Sequence, residues 1–285
     1  MTFKAGDIVA RLSYKCDLLF RVVSIIGKHV ELAGEDMRLL ADAYIDDLVK
    51  ITESEQAERR KKSKEKEENS YYLFRQDAKL LKYRNGYDVT SGYSTDSSFF
   101  ELRGRVLHID GDPLYLQKCT ELYKRLGVPV YGVHLHEKEM PEQMESLLEM
   151  VQPDIVVVTG HDAYLKSRGT GEDIRAYRNT KYFAECVRIA RKQVMNRDNL
   201  IIFAGACQSH FETLIKAGAN FASSPDRINI HALDPVYIAA KVSMTSFMDN
   251  IGLWDVLRNT ITGEKGLGGV ETRGVMRRGM PMKED

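Results

Sequence analysis

The chain has 285 residues, is 43% hydrophobic and carries 41 basic against 41 acidic side chains. That length suits one large domain with a small companion, and the composition is enough to build a core. The balanced charge leaves no electrostatic footprint for nucleic acid or a membrane surface.

No stretch approaches the ~20 apolar residues of a transmembrane helix. Lys4, Asp7 and Arg11 interrupt the N-terminus, so no signal peptide is read there. Four cysteines, Cys16, Cys119, Cys186 and Cys207, are widely spaced with no CxxC. This is the usage of a reduced, intracellular protein rather than a disulfide scaffold.

Residues 1–52 read as short strands: Gly6 to Arg11, Leu19 to Ile26 ended by Gly27-Lys28, His29 to Leu32, a turn at Gly34-Glu35, then Met37 to Leu40. Four or five short strands in so little chain predict a small SH3-like β-barrel. Residues 53–70 are almost entirely charged and lack an apolar stripe. They read as a solvated helix or a flexible linker, and a domain boundary is placed there.

Residues 71–285 change character. Apolar runs at Arg105 to Asp110, Val128 to Leu135, Asp154 to Thr159 and Leu200 to Phe203 alternate with helical patterns at Pro113 to Leu126, Met140 to Val151 and Thr180 to Met195. A further helix ends near Gly218, and Asn220 to Ser224 offers a fifth strand. Near-continuous apolar strands alternating with helices predict an α/β fold with a mostly parallel sheet covered on both faces. Val236 to Ile261 reads as two more helices, and Gly263 to Met282 as irregular.

In such sheets the functional site lies beyond the carboxyl ends of the strands. Asp110, His161 and Cys207 all stand there. The separation of His161 and Cys207, 207 − 161 = 46 residues, is near the roughly 50 of the caspase arrangement. The pair therefore suggests a cysteine peptidase. A thiol needs a neighbouring base to become a nucleophile, and that base can then protonate the leaving amine. The oxyanion needs donors, and the N–H of Cys207, if it opens a helix, and that of Asp162 are the natural ones. Gly205 and Ala206 before the thiol would allow close approach. Cys16, Cys119 and Cys186 read as structural, His108 as a core histidine, His210 as a helix-surface residue, and His134 and His136 as a solvated loop. No metal ligand set and no cofactor are indicated.

The blocks Gly160-His161 and Gly205-Ala206-Cys207, each after an apolar run, resemble those of the caspase-like peptidases, including the clostripain and legumain groups. The chain is closer still to the YabG family of sporulation-specific proteases from endospore-forming bacteria. Lys4 to Arg11, Val158 to Asp162, Phe203 to Ser209 and Gly268 to Gly274 carry that resemblance over essentially the full length. It implies a caspase-like cysteine endopeptidase, made in the mother-cell cytoplasm and associated with the forming coat. It would trim spore coat and other spore proteins after basic residues, chiefly Arg, with His161 and Cys207 as the dyad. One departure is Asp162, where the broader pattern has Gly; its carboxylate could instead orient His161.

An Arg-selective pocket needs a carboxylate, because a guanidinium prefers a planar bidentate partner. Asp110 and Asp226 are the pocket candidates, and Asp112 before Pro113 fits a helix N-cap. Arg59-Arg60-Lys61-Lys62 would be a self-cleavage site if the enzyme cuts after Arg and that segment is mobile. Two other readings compete. One is a thiol amidohydrolase, for which His231 is the only histidine spaced after Cys207. The other is a non-enzymatic barrel joined to a receiver-like domain.

Overall fold

A computed structural model describes residues 3–87 and 100–279. The N-terminal strands β1 (Ile8–Arg11), β2 (Phe20–Ile26), β3 (His29–Gly34), β4 (Leu40–Tyr44) and β5 (Leu48–Lys50) form one antiparallel sheet in the order β4-β3-β2-β1-β5. Val9, Phe20, Val22, Val30, Leu32, Ala43 and Leu48 are buried in it. Their period-2 spacing is what a sheet with one covered face requires.

The strand expected at Met37 to Leu40 is not one. β4 begins at Leu40, and the preceding residues leave the sheet to pair with the rest of the molecule, Met37 with His231 and Leu39 with Asp162. The run is apolar enough to be a strand, but its backbone partners lie elsewhere.

Helix α1 (Glu53–Tyr87) takes up the whole charged stretch and runs without a break past residue 70. Ion pairs one turn apart, Arg59–Glu55 and Lys62–Glu58, support it locally. Arg60 pairs with Glu35 of the N-terminal unit and Arg125 with Glu68. Farther along, Ser70 and Phe74 are buried.

The second sheet is built from β7 (Val106–Asp110), β8 (Val130–His134), β9 (Ile155–Thr159), β10 (Ile201–Ala204) and β11 (Phe221–Ala222), all parallel where paired, after a short edge strand β6 (Phe100–Leu102) that lies outside it. With a late antiparallel strand its order is β13-β11-β10-β9-β7-β8, where β13 is Gly268–Gly269. Helices α2 (Pro113–Leu126), α3 (Met140–Val151), α4 (Thr180–Gln193) and α5 (Phe211–Ala217) connect the strands, and α6 (Asp234–Met244) follows.

Alternation divides the strands between two core layers. Val106, Ile155, Val157, Ile201 and Phe203 join the layer of α2 and α6; Leu107, Ile109, Val156, Val158 and Ile202 join that of α3 and α4. Each such side chain contributes about 1.5–3 kcal/mol by leaving water. The same alternation puts His108 and Asp110 on the Val106 side, under α2.

The tail expected to be irregular contains short strands. β12 (Asn250–Ile251) precedes α7 (Leu253–Leu257); β14 (Thr272–Arg273) pairs with β12, and β15 (Arg277–Gly279) with β6. Two- and three-residue strands are too short to show a period. No described helix is long and apolar enough to cross a membrane.

Candidate active site

Cys207 stands three residues beyond β10, at the edge where ligand sites of parallel sheets form. Gly205 turns the chain there with φ +109°, and a Cβ on it would lie 2.7 Å from Ser223 Oγ and 2.8 Å from Leu214 Cδ1. The glycine therefore serves the turn and its packing, rather than substrate approach. Nor does Cys207 open the helix: α5 begins at Phe211 with His210 as its N-cap, buried and accepting from Thr213 N–H through Nδ1. The Cys207 N–H lies in the turn before that helix, not at the helix N-terminus.

The thiol is fully buried. Ile230 N–H donates to Sγ (3.2 Å), and Sγ lies 3.5 Å from Ile230 O. Burial drives its pKa far up; the Ile230 N–H and the Arg38 charge offset only part of that.

His161 follows β9 and is 8% exposed. Its Nδ1 lies 3.6 Å from Glu137 Oε1, and its Nε2 lies 3.3 Å from Asp112 Oδ2, an ion-pair distance out of line for a hydrogen bond. Burial opposes charging, but the two carboxylates outweigh it and push the imidazole up to about 9. Glu137 also accepts from His161 N–H (2.8 Å). It reaches there across two glycines: a Cβ on Gly111 would sit 2.2 Å from Glu137 Oε1, and one on Gly160 2.5 Å from it.

Asp162 does not orient His161. Its buried carboxylate accepts from Thr180 Oγ1, Ser209 Oγ (2.8 Å), Asn179 N–H (2.8 Å) and Ala163 N–H (2.9 Å), tying the β9 end to α4 and to the Cys207 turn. No hydrogen bond joins His161 to Cys207. Instead, Asp162 N–H (3.4 Å) and Cys207 N–H (3.2 Å) both donate to one acceptor, the carbonyl oxygen of Arg38.

Arg38 comes from the β3–β4 connection and is fully buried. Its Nη1 donates to both oxygens of Asp110 (3.0 and 2.9 Å), its Nη2 and Nε to Ala232 O (2.8 and 3.2 Å), and Nη2 also to Cys119 Sγ (3.3 Å). The guanidinium carbon lies 5.2 Å from the centre of the Tyr115 ring, within range of a cation–π contact. His108 sits behind Asp110, between it (3.3 Å) and Tyr123 Oη (3.2 Å). Burial raises the Asp110 pKa, but Arg38 and His108 outweigh it and hold the carboxylate ionised. His108, Asp110 and Cys119 have donor atoms close enough together to hold a metal ion, and the guanidinium supplies the cation there.

Of the two pocket candidates, Asp110 holds Arg38. Asp226 lies exposed in the turn after β11, and its backbone N–H donates to Lys265 O. Asp112 caps α2, accepting from Leu114 N–H (2.7 Å) and Tyr115 N–H (3.3 Å), and also pairs with Arg21. His134 and His136 are exposed and line a cleft of about 910 Å³ that reaches His161 and Leu40. His231 is buried beside the Arg38 segment; its Nδ1 accepts from Leu233 N–H and its Nε2 lies 3.5 Å from Glu67.

Sequence reasoning missed Arg38, Glu137, Tyr115 and Cys119. A lone arginine inside the apolar run Met37 to Leu40 was a signal for the first. Cys119 carried only its helical position, and Glu137 sits in a polar run with no period.

The profile of the YabG peptidase U57 family matches residues 4–281. The sporulation-specific protease YabG of Bacillus subtilis (strain 168) is 54% identical over 290 aligned residues, covering all of both chains. No solved structure matches the chain. The chain belongs to the YabG family of sporulation peptidases.

Proposed function

We propose that this peptidase is a cysteine endopeptidase that cuts after arginine, with Cys207 as nucleophile, His161 as base and acid, and Asp110 as the carboxylate of the arginine pocket. The observation that carries this reading is the setting of Arg38. Its guanidinium Nη1 reaches both oxygens of Asp110 while its carbonyl oxygen takes the N–H groups of both Asp162 and Cys207. One residue thus displays what an arginine before a scissile bond needs: a charge partner for the side chain and two donors for a developing oxyanion.

In the reaction, Sγ of Cys207 bonds to the carbonyl carbon as its proton passes to the neutral form of the His161 imidazole. The oxyanion rests on the two amides. His161 then returns the proton to the leaving nitrogen, and water releases the acyl group from sulfur. Asp112 and Glu137 hold the imidazole between these tasks. Lysine lacks the further Nη2 and Nε donors that reach Ala232 O beside Asp110, so arginine is preferred.

His161 and Cys207 beyond the ends of adjacent parallel strands support a caspase-like arrangement, and the five-stranded antiparallel sheet supports an SH3-like N-terminal unit. Together with the named relative, the reading extends to spore coat and other spore proteins as substrates and to action in the mother cell.

The test uses peptides differing only at the residue before the scissile bond, with cut sites mapped by mass spectrometry. Cleavage after Arg by wild type, lost in both Cys207→Ala and His161→Ala, is the expected result. Cleavage that persists in either variant removes that residue from the chemistry.

A further inference from the structure

A five-residue hairpin connection ordinarily lies on the surface. Here residues 35–39, between β3 and β4, instead enter the cleft. Ala232 N–H donates to Asp36 O (2.9 Å), Arg38 N–H donates to Ile230 O (3.2 Å), and Met37 pairs antiparallel with His231. The segment thus lies as an added strand along residues 230–232, as an extended peptide does at a sheet edge. Residues two apart in a strand face the same way. Arg38 and Asp36 both turn toward α2. The guanidinium meets Cys119 Sγ (3.3 Å), and the Asp36 carboxylate meets Nζ of the adjacent Lys118 (3.0 Å). A chain cut with its own arginine beside Asp110 follows the same strand. The residue two before that arginine then takes the place of Asp36.

That place favours a carboxylate. Burial opposes charge on Asp36, but Lys118 outweighs it and holds the carboxyl below its usual pKa. His231 faces the same spot. Its Nδ1 accepts from Leu233 N–H (3.2 Å), so in the neutral ring Nε2 carries the proton. That Nε2 is buried and makes no hydrogen bond among the described residues. Donor atoms of Asp36, Glu67 and His231 lie within 4.8 Å of one another, close enough to hold a metal ion. A protonated Nε2 has no lone pair to offer a metal; it offers a carboxylate a second donor instead. Glu67, 3.5 Å from that nitrogen, is the opposing charge.

We infer that Lys118 is a specificity-determining residue, and that preferred substrates carry Asp or Glu two residues before the arginine at the cut. This rests on the cysteine-peptidase reading above. A substrate carboxylate there meets the Lys118 ammonium, whereas a lysine or arginine meets like charge. The Lys118 side chain is 42% exposed. Water and salt therefore screen the pair, and the preference is graded rather than absolute.

The test uses three Arg peptides that differ only two residues before the arginine, where they carry Asp, Ala or Lys. It reads ratios of kcat/KM on the full chain. Wild type should favour Asp over Ala by about 3-fold and Asp over Lys by about 10-fold, less at higher ionic strength. Lys118→Ala should bring the Asp-to-Ala ratio close to unity, Lys118→Glu should reverse the order of Asp and Lys, and Lys118→Arg should keep the wild-type order. Each ratio compares substrates on one protein, so a variant that folds only in part still reports it. A wild type that cuts all three alike, or an Asp preference that Lys118→Ala leaves unchanged, overturns this inference and leaves the peptidase reading standing. A wild type that cuts none of them overturns both.

Discussion

Two buried histidines stand close to the Arg38 segment, and the structure drives them in opposite directions. His161, between Asp112 and Glu137, is pushed up to about 9. His231 is lowered to about 4: burial does most of this, Asp36 opposes it, and Lys118, Arg38 and Lys66 add to it. Both lose water to a similar degree, so burial cannot separate them. Burial lowers both; at His161 two carboxylates overturn it, while at His231 the one opposing carboxylate, Asp36, is countered by Lys118, Arg38 and Lys66. One histidine is thereby kept charged at neutral pH, while the other stays neutral beside the Arg38 segment.

The largest disturbance of this balance is predicted for Asp110→Asn. It leaves the Arg38 guanidinium buried without its counter-charge, and breaking such a pair costs about 3–5 kcal/mol. Urea titration of the full-length Cys207→Ala background, which avoids any cutting, reads the loss. An unchanged midpoint would show that Arg38 can leave the pocket freely.

The pH dependence of stability separates the two histidines next. His161 has its folded pKa raised from 6.5, so its contribution of about 3 kcal/mol is complete below pH 6.5 and is lost as pH rises through about 9. His231 has its folded pKa depressed, so a contribution of similar size is present above pH 6.5 and lost as pH falls through about 4. His161→Gln should flatten the alkaline limb alone, and His231→Gln the acid limb alone. Loss of both limbs in either variant would mean that the two sites unfold as one.

Glu137→Gln keeps the volume and removes one carboxylate. The His161 titration, followed by NMR of its ring protons, should fall from about 9 toward 6.5, with kcat/KM on Arg peptides down by about 10-fold. A titration that stays near 9 would make Asp112 the sole source of the shift. The smallest effect belongs to the exposed pair of Arg60 with Glu35. Arg60→Ala should change stability by no more than about 1 kcal/mol in thermal unfolding.

The α/β unit was legible because its strands are near-continuous Val and Ile runs. Its helices carry their own stops: Gly127 ends α2 in the left-handed conformation, and Asp112 caps its start. Asp110, His161 and Cys207 were placed by strand ends alone. What stayed hidden depends on contacts between distant residues. Nothing local to Met37 to Leu40 says that its backbone will pair with residues 230–232. Nothing local to Glu137 says that it will reach His161. The charged stretch 53–70 left helix and linker undecided for another reason: with polar residues all round, no apolar stripe marks the turn, and pairing of charges one turn apart does the work of a period.

The glycines beneath Glu137 carry a consequence for anyone reading a mutational scan of this chain. Neither Gly111 nor Gly160 has a positive φ, so the backbone itself accepts alanine at both. The atom that a new methyl group would strike is the far end of the Glu137 side chain, which can swing aside with little cost to folding. Alanine there should yield folded protein with the His161 titration shifted down and kcat/KM lowered about as in Glu137→Gln. Abundance-based screens would score both positions as tolerant, and activity-based screens would score them as impaired.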